Sequence, residues 1–184
     1  MRIIGGEARG RKIQLPAGCR IRPTADRVKK SLFDILHPLT GKSFLDLFAG
    51  CGNVGLEALS RGACFAAFVE KEPRLAEAIR MNLELFGFSG RAEVFVKNAV
   101  KGTTRFVETG SRFDIVFADP PYDEGFLTEI PGWLEEGDVL SEDSIVVIQH
   151  SVREKIPESE STLVTTDQRR YGDTMLSFLT KKTG

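Results

Sequence analysis

The segment Asp119-Pro120-Pro121-Tyr122 gathers a carboxylate, two prolines and an aromatic ring within one turn. Proline fixes φ and removes a backbone donor, so the Asp119 carboxylate and the Pro120 carbonyl remain as acceptors in a stiff loop. Tyr122 adds a face on which a flat ring can stack. Such a kit suits a planar, amine-bearing group such as a nucleobase, although a Pro-Pro pair also serves simply to end a strand. Upstream residues weigh the choice. Gly50, Gly52 and Gly55 form a G-x-G-x-x-G run, and Glu70 follows at the distance of a second-strand acid. The glycines permit a tight turn and close backbone approach, and the acid can accept hydrogen bonds from two ribose hydroxyls.

These groups need a scaffold to position them. Apolar, β-branched or aromatic runs at Phe44–Phe48, Phe65–Glu70, Glu93–Lys97, Phe113–Ala118 and Ser144–His150 predict strands. Between them, helical patterns fall over 53–61, Pro73–Phe86, 99–109 and 124–136, with Leu75, Ala76, Ile79 and Leu83 near the 3.6-residue period. Strands alternating with helices predict an α/β fold of right-handed βαβ units around a Rossmann-like, mostly parallel sheet. Residues 162–171 and 174–181 leave no room for a helix between them and predict an antiparallel C-terminal hairpin. Thr24 is expected to cap a helix over Ala25–Leu36 that stops before Pro38. The glycine run then follows the first sheet strand, and Asp119 follows the fourth.

With 184 residues, 41% hydrophobic and 28% charged, the chain has the size and balance of one globular domain. No apolar run approaches the roughly 20 residues that span a membrane, and the N-terminus lacks the pattern of a signal peptide. Three cysteines, Cys19, Cys51 and Cys64, without metal-ligand spacing fit reduced thiols in a cytoplasm and no metal site. The net charge of −1 hides an asymmetry, because residues 1–30 carry nine Lys/Arg against two acids, or +7, leaving −8 for the rest. A basic arm on an acidic body is an electrostatic footprint for phosphates. A solvated charged tail is the plainer alternative.

A glycine run with a second-strand acid also describes a dinucleotide site. Asp46, inside the first strand, argues against one: its carboxylate would repel a pyrophosphate but could reach the cationic amine of an amino-acid-bearing cofactor. Asp119-Pro120-Pro121-Tyr122 offers amine acceptors and nothing suited to hydride transfer. S-adenosylmethionine fits both features.

On these residues the chain resembles the class I S-adenosylmethionine-dependent methyltransferases that modify exocyclic amines. More closely, it is similar to the bacterial small-subunit (16S) ribosomal RNA guanine-N2 methyltransferases, the RsmD family. The matching segments are Gly5–Lys12, Arg22–Val28 with Leu32-Phe33, Leu45–Ala63, Val69-Glu70-Lys71, Asp119–Tyr122 and Arg170–Thr174. Three positions depart from the family's habit. Lys29 and Lys30 stand where arginine and glutamate are usual, making that helix more basic; Cys51 replaces a common serine; and Asn98 replaces an aspartate that contacts the adenine amine. Asparagine can still accept through its side-chain oxygen.

The resemblance implies a seven-stranded sheet whose last strand is antiparallel. It implies cofactor contacts at Asp46, Ala49, Gly50, Gly52, Glu70, Lys71, Asn98, Ala99 and Asp119, with S-adenosylhomocysteine as product. Asp119, Pro120 and Tyr122 become the catalytic group acting on a guanine N2 amine. Arg9, Arg11, Lys12, Arg22 and Arg27 are the expected RNA phosphate contacts, shared with an alternative of structural ion pairing. His37 and His150 each stand without a paired nucleophile and are not expected in catalysis. Residues 1–40 then form a basic N-terminal arm and helix, and residues 41–184 the methyltransferase domain of a cytoplasmic monomer acting on ribosomal RNA in an assembled or assembling small subunit. Adenine-N6 methylation of DNA or RNA is the competing activity, since the same tetrapeptide suits adenine's amine, although 184 residues leave little room for a DNA-reading region. A non-catalytic RNA-binding assembly factor is the competing class.

Overall fold

Short apolar strands bury both faces only when helices cover them, and this chain folds accordingly. The structure, a computed structural model, describes residues 1–18, 25–157 and 161–182. It divides into two compact units, Met1–Ala99 and Val100–Gly184. Among the described residues there are seven strands, in a mixed and mostly parallel sheet with an antiparallel C-terminal hairpin, as expected.

The first unit holds α1 (Asp26–Ile35), β1 (Ser43–Asp46), α2 (Asn53–Ser60), β2 (Phe65–Glu70), α3 (Pro73–Phe86) and β3 (Ala92–Val96). Its strands run parallel in the order β3-β2-β1, with Asp46 beside Phe68 and Glu70 beside Val96. β1 ends at Asp46, earlier than the apolar run suggests, because Leu47 and Phe48 already enter the turn towards the glycines. The start of α3 is set by Pro73 and by the Glu72 side chain, which accepts from Arg74 N; Gly87, in the left-handed region, ends it. α1 begins at Asp26 with Ala25 in the cap position and no capping side chain. Thr24 lies outside the described residues. Phe33, Phe44, Leu45, Leu56 and Phe68 are fully buried, each worth about 1.5–3 kcal/mol of transfer free energy.

The N-terminal arm is pinned rather than loose. Arg2 and Lys12 form an antiparallel bridge, flanked by bonds from Ile3 N to Arg11 O (3.0 Å) and Gly10 N to Ile3 O (2.9 Å). Ile3, Ala8 and Ile13 are buried beneath this small hairpin. Glu7 N donates to Ser60 O (2.8 Å) and Ala8 N to Ser60 Oγ (2.9 Å), fastening the arm to the end of α2. Gly6 is required at φ 74°, where a Cβ would lie 1.7 Å from Ser60 O. The solvated-tail alternative is thereby excluded for residues 1–13. Lys29 corrects another expectation. It adds nothing to a basic surface, being fully buried with its Nζ 3.1 Å from Glu57 Oε2.

The second unit holds most of α4 (Ala99–Thr109), then β4 (Phe113–Ala118), α5 (Phe126–Glu136), β5 (Leu140–Ser151), β6 (Leu163–Tyr171) and β7 (Thr174–Lys181). The strand order is β4-β5-β7-β6, with β4 and β5 parallel and β7 antiparallel to both of its neighbours. Gly172 at φ 63° allows the tight link between β6 and β7, which brings Tyr171 opposite Thr174. Phe106 meets Phe113 edge-on at 5.0 Å and closes α4 over the strands. Among the described residues, no helix is long and apolar enough to cross a membrane.

Candidate active site

In the first unit, β1 delivers Asp46 to the base of the glycine loop at 1% exposure. Its Oδ2 accepts from Gly55 N at 3.0 Å. That N–H lies in the first turn of α2, where donors lack intrahelical partners and a negative charge is favoured. Across the loop, Glu70 Oε2 accepts from Gly50 N (2.7 Å) while Oε1 accepts from Glu72 N (2.8 Å). Two carboxylates therefore brace the loop from opposite ends. Each carboxylate oxygen can accept more than one hydrogen bond, so bracing and ligand contact are compatible.

The three glycines do different work. Gly50, at φ 55°, presents its Cα to open space, with nothing within 4 Å of a built Cβ. Gly52 occupies the left-handed cap position of α2 at φ 77°. Gly55 lets the helix approach β2, since a Cβ there would sit 2.3 Å from Phe68 Cε1. Ala49 N donates to Val69 O (3.0 Å), tying the loop to β2. Cys51 faces inward at 2% exposure, its thiol 3.6 Å from Met1 Sδ. Burial pushes that thiol up to about 11 from 9.0. Beyond the strand ends, Lys71 and Asn98 are exposed and Ala99 is buried at the start of α4. Lys97 N donates to Glu70 O (3.1 Å), so this unit brings together Asp46, Ala49, Gly50, Gly52, Glu70, Lys71, Asn98 and Ala99 at the C-terminal ends of its strands.

In the second unit, Asp119 leaves the end of β4 half-buried, followed by buried Pro120, exposed Pro121 and half-buried Tyr122. Gln149 Nε2 donates to Asp119 Oδ2 at 2.9 Å. The parallel register explains the pairing: Ala118 lies beside Ile148, so the next residue of each strand falls side by side. The loop closes at Asp123, whose φ of 60° is unusual for a residue with a side chain. Glu154 holds this turn, accepting from Asp123 N (3.0 Å) through Oε1 and from Ser151 N (3.2 Å) through Oε2. The sequence reading missed Gln149 and Glu154. The one signal for Gln149 is an amide ending the apolar run 145–148. His150 is buried, with Nε2 2.8 Å from Ser177 Oγ and Nδ1 2.9 Å from Ser151 O, and burial lowers its pKa.

The expected RNA contacts divide into distinct environments. Arg9, Lys12 and Arg27 are exposed. Arg11 is exposed too but also bonded within the chain: Nη1 donates to Leu85 O (3.1 Å) and its guanidinium carbon lies 5.8 Å from the Phe86 ring centroid. Arg22 falls outside the described residues. Arg2, Arg9 and Asp26 line an open cavity of about 320 Å³ beside Ile3, Ile4 and Gly10.

Comparison with known proteins places this geometry in a family. Residues 1–180 match the family described as "Conserved hypothetical protein 95". The chain is 34% identical over 183 residues to "Putative rRNA methyltransferase YlbH" of Bacillus subtilis, covering 99% of this chain and 100% of that protein. It is 37% identical over 158 residues to "Ribosomal RNA small subunit methyltransferase D" of Escherichia coli, covering 85% and 78% respectively. A solved structure, "Putative methyltransferase yhhF from Escherichia coli", superposes with a TM-score of 0.85 at 33% identity, covering 99% of this chain and 98% of that one.

Proposed function

The chain belongs to the family described as "Conserved hypothetical protein 95", the RsmD family, and from that premise we propose that it methylates the exocyclic N2 amine of a guanine in small-subunit ribosomal RNA. The observation that carries the reading is the Asp119 carboxylate held at the end of β4 with two prolines and Tyr122 behind it. The fold is that of class I methyltransferases, and S-adenosylmethionine is the methyl donor. The first unit fits it: Gly50 opens onto free space, and Asp46 and Glu70 are acids fixed by backbone bonds at the same loop. Asp46 would face the donor's amine and Glu70 its ribose hydroxyls, with Ala49, Gly52, Lys71, Asn98 and Ala99 around the nucleoside. When bound, the donor supplies an electrophilic methyl group on a sulfonium and departs as S-adenosylhomocysteine.

An exocyclic amine is a poor nucleophile because its lone pair is conjugated with the ring. The Asp119 carboxylate and the Pro120 carbonyl would accept the two amine hydrogens and turn the lone pair out of the ring plane. Positioning of this kind lowers a barrier by several kcal/mol, within the roughly 7–11 kcal/mol available to ideal intramolecular alignment. The acceptors gain strength as positive charge develops on nitrogen. Asp119 then acts as an acceptor during transfer, and the proton leaves afterwards. Tyr122 would stack on the base, worth about 1–3 kcal/mol. The base must be unpaired or extruded to enter.

Residues 1–40 serve in this reading as the RNA-facing arm of a cytoplasmic monomer, and residues 41–184 as the methyltransferase domain. Arg9, Lys12 and Arg27 would meet phosphates, with Arg11 and Arg22 beside them. In this reading an assembled ribonucleoprotein surface supplies the specificity. Labelled donor offered in parallel to naked 16S RNA, small subunits and DNA tests this, with preferential labelling of subunits expected. Labelling of DNA alone would support adenine-N6 methylation instead, and no transfer to any of the three would favour a binding factor.

A further inference from the structure

We infer that Gln149 is a positioning residue for methyl transfer, acting through Asp119; the inference rests on the reading of Asp119 as the amine acceptor. Gln149 is 6% exposed, and its Nε2 donates to Asp119 Oδ2 at 2.9 Å. Among the described residues, its buried Oε1 meets no hydrogen-bond partner. A glutamine kept only for packing would have both ends of its amide satisfied or would be replaced by an apolar side chain of the same volume. Here the amide orientation is fixed by the carboxylate, because the flipped form would set Oε1 against Oδ2. The side chain thus tolerates an orphaned acceptor in order to present an N–H to Asp119.

Two consequences follow for the reaction. The bond sets the rotation of the Asp119 carboxylate just past the end of β4. It also sets an N–H donor against Oδ2, which fixes how the carboxylate oxygens are presented as acceptors. Asp119 is thereby kept as an acceptor of amine hydrogens. The register sets the pair: Ala118 and Ile148 are strand neighbours, so Gln149 reaches Asp119 from adjacent backbone without long-range loops. Glu154 anchors the other end of the same loop through Asp123 N.

The test is a double-mutant cycle of Gln149→Met and Asp119→Ala, read as single-turnover transfer from S-adenosylmethionine to under-methylated small ribosomal subunits. Gln149→Met should lower kcat roughly 10- to 100-fold, the scale of a misplaced reacting group, with KM for subunits and donor affinity unchanged. In the Asp119→Ala background the same change should have almost no further effect, because the partner through which it acts is gone. Equal fold-losses in both backgrounds, or a wild-type kcat for Gln149→Met beside a strongly impaired Asp119→Ala, would overturn the inference while leaving Asp119's role intact. A fully active Asp119→Ala would overturn the reading itself and the inference with it. If Gln149→Met does not fold, Gln149→Leu decides: it is apolar and cannot donate, and it should lose at least as much kcat.

Discussion

Lys29 Nζ and Glu57 Oε2 lie 3.1 Å apart with neither side chain exposed to solvent. The same ammonium donates to Arg2 O (2.9 Å) and Asn53 Oδ1 (2.8 Å), and Glu57 also accepts from Ile4 N (2.8 Å) and Arg61 Nε (2.8 Å). This network joins the N-terminal arm, α1 and the helix that follows the glycine loop. Removing Lys29 takes away the fully buried cation and leaves Glu57 to Arg61 Nε and Ile4 N alone, at a cost approaching the roughly 3–5 kcal/mol of a broken buried pair. Lys29→Met should lose that much stability in chemical denaturation, and Lys29→Arg, which retains charge and donors, much less.

Gly6→Ala should release the arm. The new Cβ cannot share space with the Ser60 carbonyl, and φ 74° strains any side chain. Limited proteolysis should then cut within residues 1–18 while the remainder stays intact. An uncut arm would show that the contact yields easily.

Arg9 and Arg11 should separate in salt titrations of RNA binding. Exposed Arg9, replaced by alanine, should lower the slope of log K against log salt by about 1. Arg11→Ala should change the slope less and instead lower thermal stability, since its guanidinium is bonded to Leu85 O and stacked on Phe86.

Asp46 braces Gly55 N and is proposed to face the donor's amine as well; two variants distinguish these roles by calorimetry. Asp46→Ala removes the acceptor for Gly55 N, costing about 0.5–2 kcal/mol as at other helix caps, and should abolish donor binding. Asp46→Asn can still accept from Gly55 N and should keep most of the stability. It should lose donor affinity all the same, because the charge proposed to face the donor's amine is gone.

Alkylation should tell the two described thiols apart. At pH 8 exposed Cys64 should react and buried Cys51 should not. Because burial raises the Cys51 thiol to about 11 from 9.0, its contribution to stability is fully present below pH 9 and is lost as pH rises through about 11. His150 works in the opposite direction: burial lowers its pKa, so its contribution is present above 6.5 and declines as pH falls through the lowered value.

Much of this molecule is legible in its residues. The strands Phe65–Glu70 and Phe113–Ala118 and the helix Pro73–Phe86 have the bounds that apolar period, Pro73 and Gly87 dictate. The C-terminal hairpin follows from two strand patterns with only a turn between them. The N-terminal hairpin is not legible, because its order comes from contacts with α2 rather than from local propensity. Lys29 looks like surface charge until Glu57, distant in sequence, is brought beneath it. Gln149 is hidden for the same reason: only the parallel register of β4 and β5 sets it beside Asp119.

The central claim is a methyl group placed on the N2 amine of guanine. Digestion of small-subunit RNA after reaction with isotope-labelled S-adenosylmethionine, followed by mass spectrometry of the nucleosides, reads it directly. Labelled N2-methylguanosine is expected with wild-type protein and a small remainder of it with Asp119→Ala. Labelled N6-methyladenosine as the sole product would contradict it.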